Sequence, residues 1–395
     1  MPTSTSDIVQ RLWNLCHVLR DDGITYHQYV TELTYLLFLK MAKETGAEAQ
    51  LIPGYRWSDL EARAGVDQLT FYRTMLLKLG THGSGQVLEI FTNASTSLKE
   101  PRNLSKLVTA IDELSWYDAR VEGFGDLYEG LLEKNAGETK SGAGQYFTPR
   151  PLIDCMVEMV KPRAGEIVQD PAAGTGGFLI AADRYIKGQT NGLSTLGVRE
   201  QQFQIKKAFC GVELVPDTHR LALMNLLLHD IEGGLALGDS LGSLGEKLPP
   251  AQVILTNPPF GTKKGGGGPT RGDFTFVTSN KQLAFLQHIY RGLEHGGRAA
   301  VVLPDNVLFE ENMGAQIRSD LMDKCDLHTI LRLPTGIFYA QGVKTNVLFF
   351  TRGPEGKEKG NTKALWIYDM RANMPSFGKR TPFTRGHFAD FEKAY

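Results

Sequence analysis

The chain has 395 residues, of which 42% are hydrophobic and 22% charged, and its formal net charge is −1. This composition is ordinary for a soluble globular protein. No apolar run approaches the roughly 18 residues that a membrane helix needs, and the N-terminus lacks the basic and apolar segments of a secretory signal. The four cysteines are widely spaced and show no metal-binding pattern, so we expect buried thiols in a reducing, cytoplasmic compartment.

The first third of the chain predicts a helical region. Apolar residues recur at helical spacing around Leu33, Leu36 and Leu37, and the runs 69–79 and 104–114 repeat the pattern. No motif with chemistry stands out there. We therefore predict a helical N-terminal domain over residues 1–137, which packs against the rest or docks a partner, and a second domain over residues 138–395.

A loop with two adjacent aromatic residues, Tyr146 and Phe147, precedes a helix predicted over 152–160. Thr148 stands where a helix N-cap binds backbone amides, and Pro149 lies close to the first turn. A helix N-terminus with a hydroxyl and aromatic rings can hold a carboxylate together with an apolar ligand. The alternative is a capped helix whose aromatic side chains pack the loop against the core.

A strand, a glycine-rich turn and a helix then predict the first half of a nucleotide-binding βαβ unit. Asp170 follows the strand 166–169, and Ala172 stands where the first glycine of the dinucleotide fingerprint would fall. This combination suits a ligand with a cationic amino-acid group better than a pyrophosphate. The glycines that allow close backbone approach are Gly174, Gly176 and Gly177. A glycine turn used only for tight packing is the alternative.

The next two strands also end in acidic residues. After a polar stretch, 187–204, which we interpret as a surface excursion, the strand 209–212 ends in Glu213. An acidic residue at that position can accept hydrogen bonds from two ribose hydroxyls, although a lone glutamate in a solvated loop is the alternative. Asp239 follows a third predicted strand and suits an adenine amine.

The motif Asn257-Pro258-Pro259-Phe260 follows an apolar run that predicts a buried parallel strand. An amide oxygen beside a proline carbonyl can accept two hydrogen bonds from an exocyclic amine, because proline fixes φ and removes a competing donor. Phe260 offers a flat face to a planar base. A tight strand-to-loop turn would use the same four residues. The loop 261–272, with Arg271, is either a phosphate contact or a solvated segment.

The remainder predicts further strands over 299–303, 329–333, 345–350 and 366–369, the first of them after a turn at Gly296-Gly297. A very short connection, 341–344, precedes the third of these, so we expect that strand to run antiparallel. The last one would add an edge strand. The second domain is therefore expected to be α/β.

Four successive strand ends thus carry Asp170 with its glycines, Glu213, Asp239 and the Asn257 motif. This order resembles the S-adenosylmethionine-dependent amino-methyltransferases. The helical N-terminal region and the stretches 144–150 and 170–178 resemble the methyltransferase (modification) subunit of bacterial type I restriction-modification systems. The resemblance covers nearly the whole chain. Because that family has a further C-terminal helical region, we expect this chain to end before it.

The resemblance implies a Rossmann-like S-adenosylmethionine-dependent methyltransferase domain with a mostly parallel seven-stranded sheet and an antiparallel strand. It implies S-adenosylmethionine as cofactor, no metal, and N6-methyladenine in DNA as product. The implied partners are double-stranded DNA, a DNA specificity subunit and a restriction subunit, with two copies of this chain per specificity subunit. The implied catalytic residues are Asn257, Pro258, Pro259 and Phe260. The implied cofactor-binding residues are Gln145, Tyr146, Phe147, Thr148, Pro149, Arg150, Asp170, Ala172, Gly174, Thr175, Gly176, Gly177, Glu213 and Asp239.

Two other functions stay open from the sequence. A protein N5-glutamine methyltransferase uses a similar amide-proline-proline-aromatic motif, because a glutamine amide is also a planar amine. The long helical N-terminal region and the stretch 145–150 argue against it. A non-catalytic scaffold subunit is the third interpretation, and the intact motif argues against that one.

Overall fold

The structure is a computed structural model, and its described residues fall into two compact units. One unit consists of Met1–Glu138 with Arg220–Asp230, and the other of Thr139–His219 with Ile231–Tyr395. The described residues are 10–12, 14–15, 23, 26–114, 116, 148–260, 269, 271–338, 343–372, 374–375, 377 and 381–395. The segment Arg220–Asp230 therefore groups with the N-terminal helices.

The first unit is helical in its described N-terminal part. Its helices are α1 (Tyr26–Thr45), α2 (Trp57–Glu61), α3 (Gly65–His82), α4 (Gly85–Phe91) and α5 (Pro101–Asp112). Proline opens α5, in the first turn, where its missing N–H removes no intrahelical hydrogen bond. The two apolar runs 69–79 and 104–114 lie on α3 and α5, which confirms the helical periodicity of those segments.

An ion pair between a buried lysine and an exposed aspartate ties the helices of this unit together. Lys40 on α1 reaches Asp112 at the end of α5 over 2.6 Å, and the indole N–H of Trp57 donates to the same carboxylate. The Trp57 ring is fully buried. The pairing with Asp112 offsets the cost of removing the Lys40 charge from water. The unit is thus a packed helical body.

The second unit is built on one eight-stranded sheet in the order β3-β2-β1-β4-β5-β7-β6-β8. The strands are β1 (Val168–Asp170), β2 (Phe209–Glu213), β3 (Gly234–Leu237), β4 (Ala251–Thr256), β5 (Leu293–Pro304), β6 (Cys325–Arg332), β7 (Thr345–Arg352) and β8 (Trp366–Asp369). β7 runs antiparallel to both neighbours, and the other pairings are parallel. The predicted antiparallel return is confirmed, and β8 adds the expected edge strand to the seven others.

Helices precede, connect and follow the strands of this sheet, and the helix between β2 and β3 has residues in both units. They are α6 (Arg150–Val160), α7 (Gly177–Gln189), α8 (Val198–Lys206), α9 (Pro216–Leu228), α10 (Lys281–Gly292), α11 (Asn306–Phe309), α12 (Met313–Lys324) and α13 (Ala389–Ala394). Fully buried side chains of α10 and α12, among them Leu286 and Leu321, form one core with Ile254 on β4 and Val301 on β5. This burial fixes β4 and β5 at the centre of the sheet.

Two local predictions were wrong. The stretch 187–204, interpreted as a surface excursion, contains most of α8, whose residues are largely exposed apart from the buried Gln204, so that no apolar stripe marks the helix. The glycine pair at 296–297, expected as a turn before a strand, lies inside β5. There the pairing shifts, because Ala251 faces Leu293 whereas Val253 faces Arg298.

Strand order decides where a ligand can bind. The chain winds outward from β1 through β2 to β3 on one side, and from β4 to β5 on the other. β1 and β4 are therefore adjacent strands whose connections leave in opposite directions. In open α/β sheets the crevice beyond the carboxyl ends of such strands is the usual ligand site.

Candidate functional site

The end of β1 carries a buried carboxyl group and a glycine turn. Asp170 is fully buried, and its Oδ1 accepts a hydrogen bond from the amide of Ala172 at 3.0 Å. Its Oδ2 has no hydrogen-bond partner in the described part of the chain. Gly174 and Gly176 both adopt left-handed backbone angles, with φ of 55° and 83°, which glycine tolerates and other residues rarely do. The turn therefore needs glycine at both positions.

The turn is open on one side and packed on the other. Ala172, Gly174, Thr175 and Gly177 are partly exposed along it, whereas Gly176 is buried. A Cβ atom on Gly174 would meet nothing within 4 Å, but one on Gly177 would lie 3.0 Å from Cδ1 of Ile153 in α6. The start of α7 is thus held closely against α6, while the Gly174 side leaves space for a ligand.

Burial makes Asp170 hard to ionise. It raises the pKa of this carboxyl to about 7, although the nearby hydroxyl of Thr256 and the amide of Ala172 lower it, and the carboxylate of Glu213 adds a smaller rise. The pKa of Asp170 is higher in the folded chain than in the unfolded chain. Ionisation of Asp170 therefore lowers the free energy of unfolding, and this loss grows as the pH rises from about 4 to 7. A cation bound beside Oδ2 would remove that cost. Asp170 is therefore a candidate ligand-binding group.

Glu213, at the end of β2, faces the same turn. Its Oε2 accepts from the amide of Gly174 at 2.9 Å, and its Oε1 accepts from the amide of Val215 at 2.8 Å. Burial raises the pKa of this carboxyl group. The amide of Leu214 also acts on this carboxylate, but a carboxylate has about four acceptor positions, so it keeps capacity to accept from a ligand hydroxyl. The structure thus brings Glu213 together with the Gly174 turn, as predicted for one site.

Exposed apolar side chains lie beside these acidic groups, and the sequence analysis missed them. Leu214, directly after Glu213, is 60% exposed, and Leu237, two residues before Asp239, is 49% exposed. Asp239 is itself exposed, and its Oδ1 accepts from the amide of Leu241. A planar ring could pack against these apolar side chains at the ends of β2 and β3 and exclude water. For Leu214 the available signal was its place directly after the acidic residue that ends β2.

Asn257 follows β4 and holds the most distinctive acceptor of the site. The residue is only 7% exposed. Its Nδ2 donates to Oγ1 of Thr148 at 2.9 Å, while its Oδ1 is buried without a partner among the described residues. A buried acceptor left unpaired costs about 1–3 kcal/mol. Such an atom is a functional candidate, because a ligand donor could satisfy it.

The other three residues of the motif are differently placed. Pro258 is buried and Pro259 is exposed, and the carbonyl of Pro259 accepts from the side-chain amide of Gln282 at 3.3 Å. Phe260 is largely buried and meets Phe338 edge-on, with ring centroids 5.6 Å apart. Stacking of Phe260 on a planar base stays a prediction. It requires the ring face that Phe338 does not contact.

The stretch before α6 is described only from Thr148 onward. Thr148, Pro149 and Arg150 are each partly exposed at the start of the helix. Gln145, Tyr146 and Phe147 lie outside the described residues, as do Gly261–Gly268 of the glycine-rich loop. The N-cap prediction for Thr148 was wrong: Pro149 occupies the cap position without a side-chain cap bond. The Thr148 hydroxyl instead bonds to Asn257.

Arg271 does not act as a mobile phosphate contact in this structure. Its guanidinium group pairs with Asp273 at 2.6 Å, donates to the carbonyl of Ser240 and to Nδ1 of His288, and lies over the ring of Phe274. These contacts use its donors inside the fold. Arg271 therefore anchors the end of its loop, contrary to the phosphate interpretation.

The described residues contain neither a metal-ligand cluster nor a helix that could span a membrane. No group of three or more His, Cys, Asp or Glu side chains there is arranged to hold a metal ion. None of the helices in that part of the chain has the length and apolar character needed to cross a membrane.

Comparison with known proteins identifies the family. Residues 119–395 match the N-6 DNA Methylase family. The methylase subunit of the type I restriction enzyme EcoKI from Escherichia coli K12 is 59% identical over 408 aligned positions, which span 99% of this chain and 76% of that protein. The StySPI methylase subunit from Salmonella potsdam is 58% identical over the same shares. The crystal structure of the EcoKI M protein matches with a TM-score of 0.60 and 54% identity, over 98% of this chain and 76% of that one.

These matches include the second unit with its four strand ends, and they extend through the helical unit as well. Two proteins that share only a fold do not reach a sequence identity near 60% over almost the whole chain. The chain therefore belongs to the N-6 DNA methylase family and is a type I restriction enzyme methylase subunit.

Proposed function

We propose that this chain transfers a methyl group from S-adenosylmethionine to the N6 amine of an adenine in DNA, as the modification subunit of a type I restriction-modification complex. The observation that carries the proposal is the buried, unpaired Oδ1 of Asn257. This acceptor follows β4, directly beside β1, which leads into the glycine turn. An amine acceptor and a cation-binding carboxyl group thus follow two neighbouring strands.

The residues present fit S-adenosylmethionine. Oδ2 of Asp170 is a buried acceptor without a partner, which suits a cationic amino-acid group. The free acceptor positions of Glu213 suit two ribose hydroxyls, Asp239 suits the adenine amine, and the exposed Leu214 and Leu237 suit the adenine ring. When bound, this cofactor supplies an electrophilic methyl group on a sulfonium. We propose that Ala172, Gly174, Thr175, Gly176 and Gly177 form its backbone cradle, and that Gln145, Tyr146, Phe147, Pro149 and Arg150 lie near its methionine end.

The chain's own contribution to the reaction is positioning. An adenine amine is a poor nucleophile, because its lone pair is delocalised into the ring. Oδ1 of Asn257 and the carbonyl of Pro258 would accept its two hydrogens and favour a pyramidal nitrogen whose lone pair is free to attack. No side chain has to remove a proton beforehand, since the amine becomes acidic only after attack. Most of the rate would come from orientation and electrostatics.

The target base must leave the helix to reach this site. The N6 atom of a stacked adenine is inaccessible to a pocket at a strand end, so the base has to be flipped out. We propose that Phe260 stacks on the flipped base. The proposal extends to a DNA specificity subunit that selects the sequence, two copies of this chain for each such subunit, and a restriction subunit, all in the cytoplasm. The net charge of −1 agrees with a chain that shares its DNA contacts with a partner.

Co-expression tests the function directly. The chain is produced in a host free of N6-methyladenine, with and without a co-expressed specificity subunit, and the modified adenines in genomic DNA are mapped by sequencing. We expect methylation at one defined sequence when both subunits are present and none with the empty vector. Incorporation of labelled methyl groups into protein glutamine instead of DNA, or into neither, would contradict the proposal.

The pH dependence of cofactor binding gives a second test. Burial holds the pKa of Asp170 near 7, so below that pH the free protein must lose a proton before Asp170 can pair with a cation. The affinity for the cofactor should therefore increase by up to about tenfold for each pH unit between pH 5.5 and 7, and should level off above pH 7. The dissociation constant of S-adenosylmethionine, measured by calorimetry from pH 5.5 to 7.5, checks this.

The matched control for that titration is Asp170→Asn. Asparagine keeps an acceptor oxygen but has no proton to lose, so its affinity should be weaker and much flatter over the same pH range. Any titration of the cofactor itself appears equally in both proteins and cancels in the comparison. Identical slopes for the two proteins would remove Asp170 from the cofactor site.

A further inference from the structure

The hydrogen bond between Thr148 and Asn257 joins two segments that are 109 residues apart in the chain. Thr148 directly precedes the N-cap of α6, and Asn257 directly follows β4. Both segments are backed by rigid structure: α6 is packed against the start of α7 through Ile153, and β4 is a central strand of the sheet. The two side chains therefore meet at fixed positions.

The amide of Asn257 has two possible orientations, and only one suits an amine substrate. The amine offers hydrogens to the site and keeps its lone pair for attack, so the amide must present Oδ1 to it. In that orientation Nδ2 points the other way and needs an acceptor. A threonine hydroxyl has two acceptor lone pairs, and Oγ1 of Thr148 lies 2.9 Å from Nδ2.

We propose that Thr148 is a positioning residue for methyl transfer: its hydroxyl accepts from Nδ2 of Asn257 and thereby holds Oδ1 toward the target amine. Without the hydroxyl, the productive orientation leaves a buried N–H unpaired, and the amide gains nothing by keeping it. The role differs from helix capping, since Pro149 is the cap residue. It also differs from cofactor binding, because the bonded partner is the catalytic amide.

The inference deepens the proposed function and rests on it. The two can fail separately. If the unaltered chain with its specificity subunit methylates no DNA, the proposed function fails. If the unaltered chain is active, and the Thr148 variants bind the cofactor more weakly but keep a normal kcat at saturation, only the positioning role fails.

The decisive variants are Thr148→Val, which keeps the shape and removes the hydroxyl, and Thr148→Ser, which keeps the hydroxyl. Each is assayed with saturating S-adenosylmethionine and specific DNA in the assembled complex. We expect Thr148→Val to lower kcat about 10- to 100-fold, the range set by one unpaired buried donor. We expect Thr148→Ser to retain kcat within about threefold, since its hydroxyl can accept the same bond.

Cofactor affinity separates positioning from binding. The dissociation constant of S-adenosylmethionine should stay within about threefold in both variants, because an amide turned away from the amine does not touch the cofactor. A weaker dissociation constant with normal kcat at saturation would overturn the proposal. So would equal losses of kcat in the valine and serine variants. Melting temperatures near that of the unaltered chain confirm that both variants fold, which the partial exposure of Thr148 favours.

Thr195→Val is the matched control. Thr195 is exposed in the same unit, and its hydroxyl donates to the carbonyl of Thr190. The same chemical change there should leave kcat and the dissociation constant within about twofold, because surface substitutions rarely exceed about 0.5 kcal/mol. A loss of kcat comparable with that of Thr148→Val would show that the assay reports general damage, and would overturn the assignment.

Discussion

Replacing Asn257 by alanine should lower kcat for DNA methylation by at least about 1,000-fold, which corresponds to about 4 kcal/mol of transition-state stabilisation. The change removes the buried Oδ1, the acceptor that would hold one hydrogen of the target amine. It touches no part of the glycine turn, so the dissociation constant of S-adenosylmethionine should stay within about threefold. Single-turnover transfer of a labelled methyl group, together with calorimetry of cofactor binding, measures both quantities.

Asn257→Asp serves as the comparison for that variant. Aspartate keeps an acceptor oxygen at the same position, and the Thr148 hydroxyl can reverse its role and donate to it. It introduces a negative charge into a site that is only 7% exposed, which has its own cost. We therefore expect more activity than in the alanine variant and less than in the unaltered chain. Near-normal transfer by Asn257→Ala would exclude Asn257 as the amine acceptor.

The strand ends of this site were predictable because each is a local pattern. A short apolar run followed by a polar residue identifies Asp170, Glu213 and Asn257 within a few residues of sequence. Parallel strands direct their carboxyl ends to one edge, so the grouping of these residues follows from topology alone. The antiparallel return of β7 was likewise local, since its connection is too short for a parallel crossover.

Contacts between distant segments were not predictable in the same way. The pairing of Thr148 with Asn257 depends on how α6 packs beside β4, and no sequence period records that. Arg271 looked like a free cation in a glycine-rich loop, but a packed fold offered it Asp273 and the Ser240 carbonyl. Helix α8 was missed because its residues are mostly exposed and polar, so no apolar stripe marked it.

The length of the segment between the glycine turn and Glu213 is a related case. The usual spacing of about 20 residues between such a turn and its acidic partner is exceeded here, because α8 is inserted before β2. The structure nevertheless joins the two ends, since Oε2 of Glu213 accepts from the amide of Gly174. Glu213 thus has two tasks that a sequence motif does not separate: it shapes the turn, and it is free to bind a ligand.

Changing Glu213 to glutamine should therefore weaken binding of S-adenosylmethionine by about 100-fold or more, equivalent to about 3 kcal/mol. Both carboxylate oxygens accept backbone N–H groups, from Gly174 and from Val215. A glutamine side chain would place an NH₂ group against one of these donors, so the turn would have to open. It would also lose the charged acceptor for the ribose hydroxyls. Calorimetry with the cofactor and with adenosine measures the loss.

The adenosine measurement distinguishes the two tasks, because adenosine carries the ribose and base without the methionine end. If Glu213 binds the ribose, adenosine should lose affinity along with the cofactor. If Glu213 only shapes the turn, the loss should be confined to the methionine end and adenosine binding should be little changed.

Glu200→Gln is the control, since Glu200 also accepts one backbone N–H, from Gly197, at the exposed start of α8. The dissociation constant of the cofactor should stay within about threefold of that of the unaltered chain, because the side chain at position 200 is exposed to solvent and tolerates the same change from carboxylate to amide. Unchanged cofactor affinity in Glu213→Gln would remove Glu213 from the site, whatever its position at the end of β2.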